Sequence, residues 1–209
     1  MSTQSFGLSR LTSLLAVAVL VLAGCSSNPQ LPPADNSTST DFDYIIGPGD
    51  SMEIFVWGNQ ELTVGSVQVR PDGKITTRLV ENVVASGKTP SQLARDIEKA
   101  YGEYVKHPVV SVIVNNFVGV PNQQIRVVGE ATEPKNVPYN KHMTLLDVMI
   151  AVGGLTEFAS GNSAVLIRYF DGARKSYSVR LSDLLQDGDI SANVAMQPGD
   201  IVMIPESWF

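Results

Sequence analysis

Cys25 is the one thiol in a chain of 209 residues. It stands just past an apolar run, residues 14–23, and Ser26, Ser27 and Asn28 follow it. A thiolate is a nucleophile and can carry a covalent group. The other side chains able to do chemistry are sparser. Asp50 and Glu53 lie near each other, but a glycosidase needs two carboxylates facing each other across a cleft, which proximity along the chain does not provide. His107 precedes a proline and His142 precedes a helix cap, outside any metal-ligand spacing such as His-x-x-x-His, so both read as structural or surface residues. No glycine-rich loop with a lysine is present to cradle phosphate. The sequence therefore predicts no catalytic residue, no cofactor and no metal site, and a protein that is not an enzyme. A net charge of -6 also argues against nucleic acid, whose phosphates call for a basic patch.

Residues 1–24 read as a secretory leader. Arg10 is the only charge before Asp35, and the apolar run is the length of a signal core rather than the roughly 20 residues of a membrane span. Leu22-Ala23-Gly24-Cys25 resembles the bacterial lipobox, which implies that Cys25 is the lipidation site and the first residue of the mature protein. One acyl chain binds a membrane marginally, whereas two or more hold firmly. Ser26 after the cysteine is compatible, by the same resemblance, with transfer to the outer membrane. The alternative is a soluble secreted protein whose cleavage site happens to fall near a cysteine.

The elements that would position these residues form two small domains. Residues 25–42 are rich in Pro, Ser, Thr and Asn without apolar periodicity, and are expected to be a flexible tether. In domain 43–120, Met52, Ile54 and Val56 alternate with Glu53 and Phe55 as a strand. Pro71-Asp72-Gly73 predicts a hairpin turn between two extended arms. Thr89, Pro90 and Gln92 form a capping box for a helix whose stripe is Leu93, Ile97, Ala100 and Tyr104. A β-branched strand follows at Val109–Asn116. Trp57 is expected to be a buried anchor beside the first strand, although an indole can also stack on sugars.

Domain 121–209 begins with a strand near Gln123 and continues into a helix capped by Thr144, with Asp147 in its first turn. A hairpin turning at Asp171-Gly172, a helical turn at "LSDLLQDG" and a short buried strand over Ile201–Ile204 complete it. Pro48-Gly49-Asp50 and Pro198-Gly199-Asp200 echo each other, each before a strand, and their aspartates read as turn formers. The fold class is α+β.

These segments together resemble the Wza-like family of outer-membrane polysaccharide export lipoproteins. The resemblance rests on Tyr44, the Gly-Pro-Gly-Asp turn at residues 47–50, Val56-Trp57, Glu61-Leu62, and the "VRPDGKI" run at residues 69–75. In the second half, "VVGEATEP", "TLLDVMIAVGG" and "QPGDIVMIP" are similar to a soluble-ligand-binding β-grasp (SLBB) module. Departures are Arg78 to Val83, where a Pro-Leu-Val-Gly is usual, and Lys135 in place of a glycine. The chain also lacks the second β-grasp module and the terminal pore helix of the longest members, so it looks like the short form linked with exosortase-type exopolysaccharide systems.

The resemblance implies a homo-oligomeric ring, lipid-anchored to the outer membrane and facing the periplasm, through which exopolysaccharide passes. It implies an inner-membrane polysaccharide copolymerase as partner and, without a terminal helix, a separate outer-membrane β-barrel. Asn115, Asn116, Asn122, Gln123 and Gln124 are possible polymer contacts, with a solvated linker as the plainer reading. Trp208-Phe209 is a possible docking tip for the barrel, with a frayed or packed end as the plainer reading. Two other functions stay open: a glycan-binding or sensing lipoprotein without a channel, and a periplasmic hydrolase or lyase.

Overall fold

The computed structural model describes residues 28–34, 42–170 and 172–208. In the first module, β1 (Ser51–Trp57) buries Met52, Ile54 and Val56. It pairs antiparallel with β2 (Val64–Gln68) on one side and β5 (Val109–Asn116) on the other, giving the order β2-β1-β5.

The Pro71-Asp72-Gly73 turn forms as expected. The Gly73 amide donates to the Arg70 carbonyl at 2.8 Å, and the Arg70 amide to the Lys74 carbonyl at 3.0 Å. The expected hairpin does not form. β2 is already zipped to β1, with Val64 opposite Ile54 and Val67 opposite Met52. The outgoing arm, β3 (Lys74–Ile75), pairs instead with β4 (Val83–Val84). The turn chemistry is local, whereas strand partners are chosen by burial, and Val69 and Ile75 both point into the core.

α1 (Pro90–Tyr101) begins with the full capping box. The Gln92 amide donates to Thr89 Oγ1 at 3.2 Å, and the Thr89 amide to Gln92 Oε1 at 2.9 Å. Its buried stripe is Leu93, Ala94, Ile97 and Tyr101. The stripe expected from the sequence is corrected at its end: Ala100 is half-buried and Tyr104 is exposed. Steps of four from Leu93 reach Ile97 and Tyr101, and the chain leaves the helix at Gly102, so helical spacing no longer governs Tyr104.

The second module is a five-stranded mixed sheet in the order β7-β6-β10-β8-β9. Its strands are β6 (Gln124–Gly129), β7 (Asn136–Pro138), β8 (Ala164–Phe170), β9 (Ala173–Val179) and β10 (Ile201–Ile204). The last strand in sequence occupies the centre, parallel to β6 and antiparallel to β8. α2 (Leu145–Ala151) covers the sheet, placing Leu145, Val148 and Met149 in one cluster with Ile125, Leu166 and Val202. Asp147 does more than sit in the helix dipole, since its Oδ2 accepts from the Thr144 amide at 2.8 Å. α3 (Leu181–Leu185) is the expected helical turn. β8 and β9 form the expected hairpin, with Phe170 opposite Ala173 and Gly172 at φ 78°. Asp171 lies outside the described residues. A small α+β module followed by a helix-covered β-grasp-like sheet is the architecture anticipated from the sequence.

Part of the stretch read as a flexible tether behaves otherwise. Residues 28–34 run along the second module, where Gln30 bridges Ser178 in parallel and Pro33 bridges Val194. The Ser178 amide donates to the Pro29 carbonyl at 3.0 Å, and the Ala34 amide to the Asn193 carbonyl at 2.7 Å. Leu31 packs against the core. The composition supports no core of its own, but the β9 edge supplies open backbone partners and a hydrophobic seat.

Candidate functional site

The two Pro-Gly-Asp turns are where the chain invests its buried charge. Asp50 is wholly buried. Its Oδ2 accepts from the Gly47 amide at 2.9 Å and the Tyr44 hydroxyl at 2.5 Å. Its Oδ1 accepts from the amides of Val118 and Gly119 at 2.7 and 2.8 Å. One carboxylate thus ties the opening segment of the first module to its exit. Burial, and then the bond to Asp50, push the Tyr44 phenol well above its ordinary range.

Asp200 is also wholly buried, and it faces Arg168. Arg168 Nε and a terminal guanidinium nitrogen donate to its two oxygens at 2.8 and 2.7 Å, while the Gln197 amide donates to Oδ2 at 2.8 Å. Burial raises the Asp200 carboxyl, against the pull of Arg168 and the Gln197 amide. Both aspartates form their turns, as the sequence suggests, and both also bind distant segments. Sequence reasoning missed Arg168. Its signal was a lone charge within the apolar strand "AVLIRYF", which needed a buried counter-charge.

Both carboxylates are closed to solvent and face these internal donors. Glu53 lies on the opposite side of β1 from the core, so Asp50 and Glu53 do not converge. His107 and His142 are exposed, at φ 52° and 66° in turns. Among the described residues, no group of three or more His, Cys, Asp or Glu side chains is placed to hold a metal. Cys25 lies outside the described residues.

Of the polar residues at the junction, Gln123 and Gln124 hold the backbone. Gln123 accepts from the Ile45 amide at 3.0 Å and donates to the Asp43 carbonyl at 2.9 Å. Gln124 is buried and donates to the Val118 carbonyl at 2.9 Å. Phe42 meets Tyr139 edge-on at 4.9 Å. Asn115, Asn116 and Asn122 are exposed. Gln123 and Gln124 thus pin the connection between the modules instead of forming a solvated linker.

The outer face of the first sheet corrects another expectation. Trp57 is 70% exposed, not a buried anchor. Strand alternation explains it: with Met52, Ile54 and Val56 inward, Glu53, Phe55 and Trp57 must face out. The Phe55 and Trp57 rings meet edge-on at 6.2 Å. Across the ladder, Trp57 stands opposite Val109 and Glu53 opposite Ile113, both exposed. Beside them an open groove of about 780 Å³ is lined by Glu53, Phe55, Trp57, Gln60, Glu61 and Thr63. This groove is the candidate binding surface. At the other terminus Trp208 is almost fully exposed, and Phe209 lies outside the described residues.

A mixed sheet closed by its final strand, behind a small module opened by a buried Gly-Pro-Gly-Asp turn, defines a two-domain protein of the export–SLBB type. Residues 38–115 match the family described as polysaccharide biosynthesis/export protein, and residues 123–204 match the SLBB domain. The chain thus carries a polysaccharide export domain followed by an SLBB domain, the combination that matches a Wza-like export family. It is similar to the EPS I polysaccharide export outer membrane protein EpsA of Ralstonia nicotianae, 27% identical over 78% of this chain and 47% of the relative. It is also similar to the exopolysaccharide production protein ExoF of Rhizobium meliloti, 27% identical over 73% of this chain and 36% of the relative. The polysialic acid transport protein KpsD of Escherichia coli is 25% identical over 82% of this chain and 30% of its own length. The chain thus spans less than half the length of these curated relatives.

Proposed function

We propose that this protein takes part in polysaccharide export, as a lipid-anchored periplasmic ring component at the outer membrane that passes exopolysaccharide toward the cell surface. The observation that carries the reading is the succession of an export domain and an SLBB domain in one chain, shared with relatives whose names describe polysaccharide export, production and transport. The lipobox-like ending at Cys25 supports the anchor. A ring requires head-to-tail contact between unlike faces of identical copies. The edges of the two larger sheets at β2, β5 and β7 offer such surfaces.

Among the described residues, no helix is long and apolar enough to cross a membrane. In this reading a separate outer-membrane β-barrel provides the crossing, and a polysaccharide copolymerase serves the inner-membrane side. The test has three arms. Removing the chain from its native host should abolish surface polysaccharide, and Cys25→Ser should release the protein from the membrane fraction. Imaging of the detergent-solubilised protein should show a closed annulus. Full secretion without the chain would overturn the export reading, and stable monomers at high concentration would favour a glycan binder without a channel.

A further inference from the structure

We infer that the groove beside Trp57 is a glycan subsite that accepts neutral or amino sugars and disfavours acidic ones. The inference rests on the export reading for its ligand class, a polysaccharide. The charge preference comes from the groove itself.

Trp57 is exposed and Phe55 beside it is half-buried, which leaves an apolar surface that a ligand can cover. Phe55 and Trp57 lie in adjacent outward positions of β1, with rings 6.2 Å apart. They supply a rigid apolar wall on which the C–H face of a pyranose can rest. Because β1 is the central strand of its sheet, the wall is held by ladders on both sides.

Glu53, Gln60, Glu61 and Thr63 line the groove together with Val56 and Gly58, and no lysine or arginine does. Carboxylates accept hydrogen bonds from sugar hydroxyls, and the Gln60 amide both donates and accepts. A few polar groups beside an apolar wall are the usual makeup of a small-molecule site. Neither carboxylate is in a salt bridge among the described residues. Two uncompensated negative charges repel a uronate at the same place and attract an ammonium. They also disfavour an apolar protein partner, which would have to bury both carboxylates unpaired. Hydroxyl groups satisfy them while leaving the groove open to water.

The chain has two tryptophans, so Trp208→Phe leaves Trp57 as the sole indole reporter. The full lipidated protein carrying that change, in detergent, would be titrated with cellohexaose, chitosan hexamer and hexagalacturonate. The first two should change Trp57 emission saturably, and hexagalacturonate should need about tenfold higher concentration. Glu53→Gln with Glu61→Gln should erase that gap. Trp57→Ala, followed by calorimetry, should abolish binding of cellohexaose. Equal binding of hexagalacturonate, or no binding of any probe, overturns the subsite. So does a Trp57→Ala variant that still binds sugar and only loses self-association, which makes the face a contact between copies. Secretion in the host is scored separately. If deleting the chain stops secretion but no probe binds, the subsite alone fails. If secretion persists, the export reading fails.

Discussion

Arg168 and Asp200 meet in two parallel bonds of 2.8 and 2.7 Å, with both side chains almost wholly withdrawn from water. The pair joins β8 to the turn that launches β10, and the same guanidinium donates to the Ala195 carbonyl at 2.9 Å. Removing one member strands the other charge in the core. Arg168→Met is therefore expected to destabilise the protein by about 3–5 kcal/mol. Adding Asp200→Asn should recover part of that loss, because an amide costs less to bury than a lone carboxylate. Urea unfolding followed by circular dichroism reads both values. A double variant no better than Arg168→Met would show that packing, not charge, dominates there.

Tyr44 and Asp50 set an alkaline limit. Burial and the bond to Asp50 raise the Tyr44 phenol above its usual 10.0. The unfolded chain loses this proton first as pH climbs past ~10, so the native state binds more protons there and stability falls as pH rises. Below that point both states hold the proton and the contribution is fully present. Tyr44→Phe should cost about 1 kcal/mol near neutrality through the lost hydrogen bond. It should also narrow the drop in unfolding midpoint between about pH 8 and about pH 11. An unchanged drop refutes the assignment.

Gly47 leaves no room for a side chain. A Cβ there would lie 1.9 Å from the Gly119 carbonyl oxygen. That segment cannot retreat, because the Gly119 amide is held by Asp50 at 2.8 Å. Gly47→Ala should cost about 3 kcal/mol or more. Gly65, where an added methyl would meet nothing within 4 Å, is the control, and Gly65→Ala should stay within about 0.5 kcal/mol. Thermal unfolding of the two variants separates a steric requirement from general glycine effects.

The strap over residues 28–34 protects one edge. The Ser178 amide has its partner in Pro29, not in β8. Deleting residues 28–34 should speed hydrogen exchange at Ser178 about tenfold or more, while Val127, inside the sheet between β7 and β10, keeps its protection. Exchange measured by mass spectrometry decides this, and an unaffected Ser178 would mean the strap is not seated in solution.

Where the determining chemistry was local, it was readable before any fold was known. The Thr89–Gln92 capping box, the Arg70–Gly73 turn, the inward set Met52, Ile54 and Val56, and the strand Val109–Asn116 all stand as anticipated. A cap, a turn or an alternation is settled by neighbours a few residues away. The order of these signals also sufficed to identify the export and SLBB domains. Contacts between residues far apart in sequence were not readable. Nothing near Pro71-Asp72-Gly73 says that its arms join different sheets. Trp57 reads as core by hydrophobicity and is exposed by strand parity. The tether's polar composition gives no sign that β9 will receive it. Asp50 and Asp200 advertise turns, yet one gathers amides 68 and 69 residues away and the other captures Arg168, 32 residues back. Burial and long-range pairing arise only once separate segments share a core, and they decided which of the locally permitted roles each of these residues took.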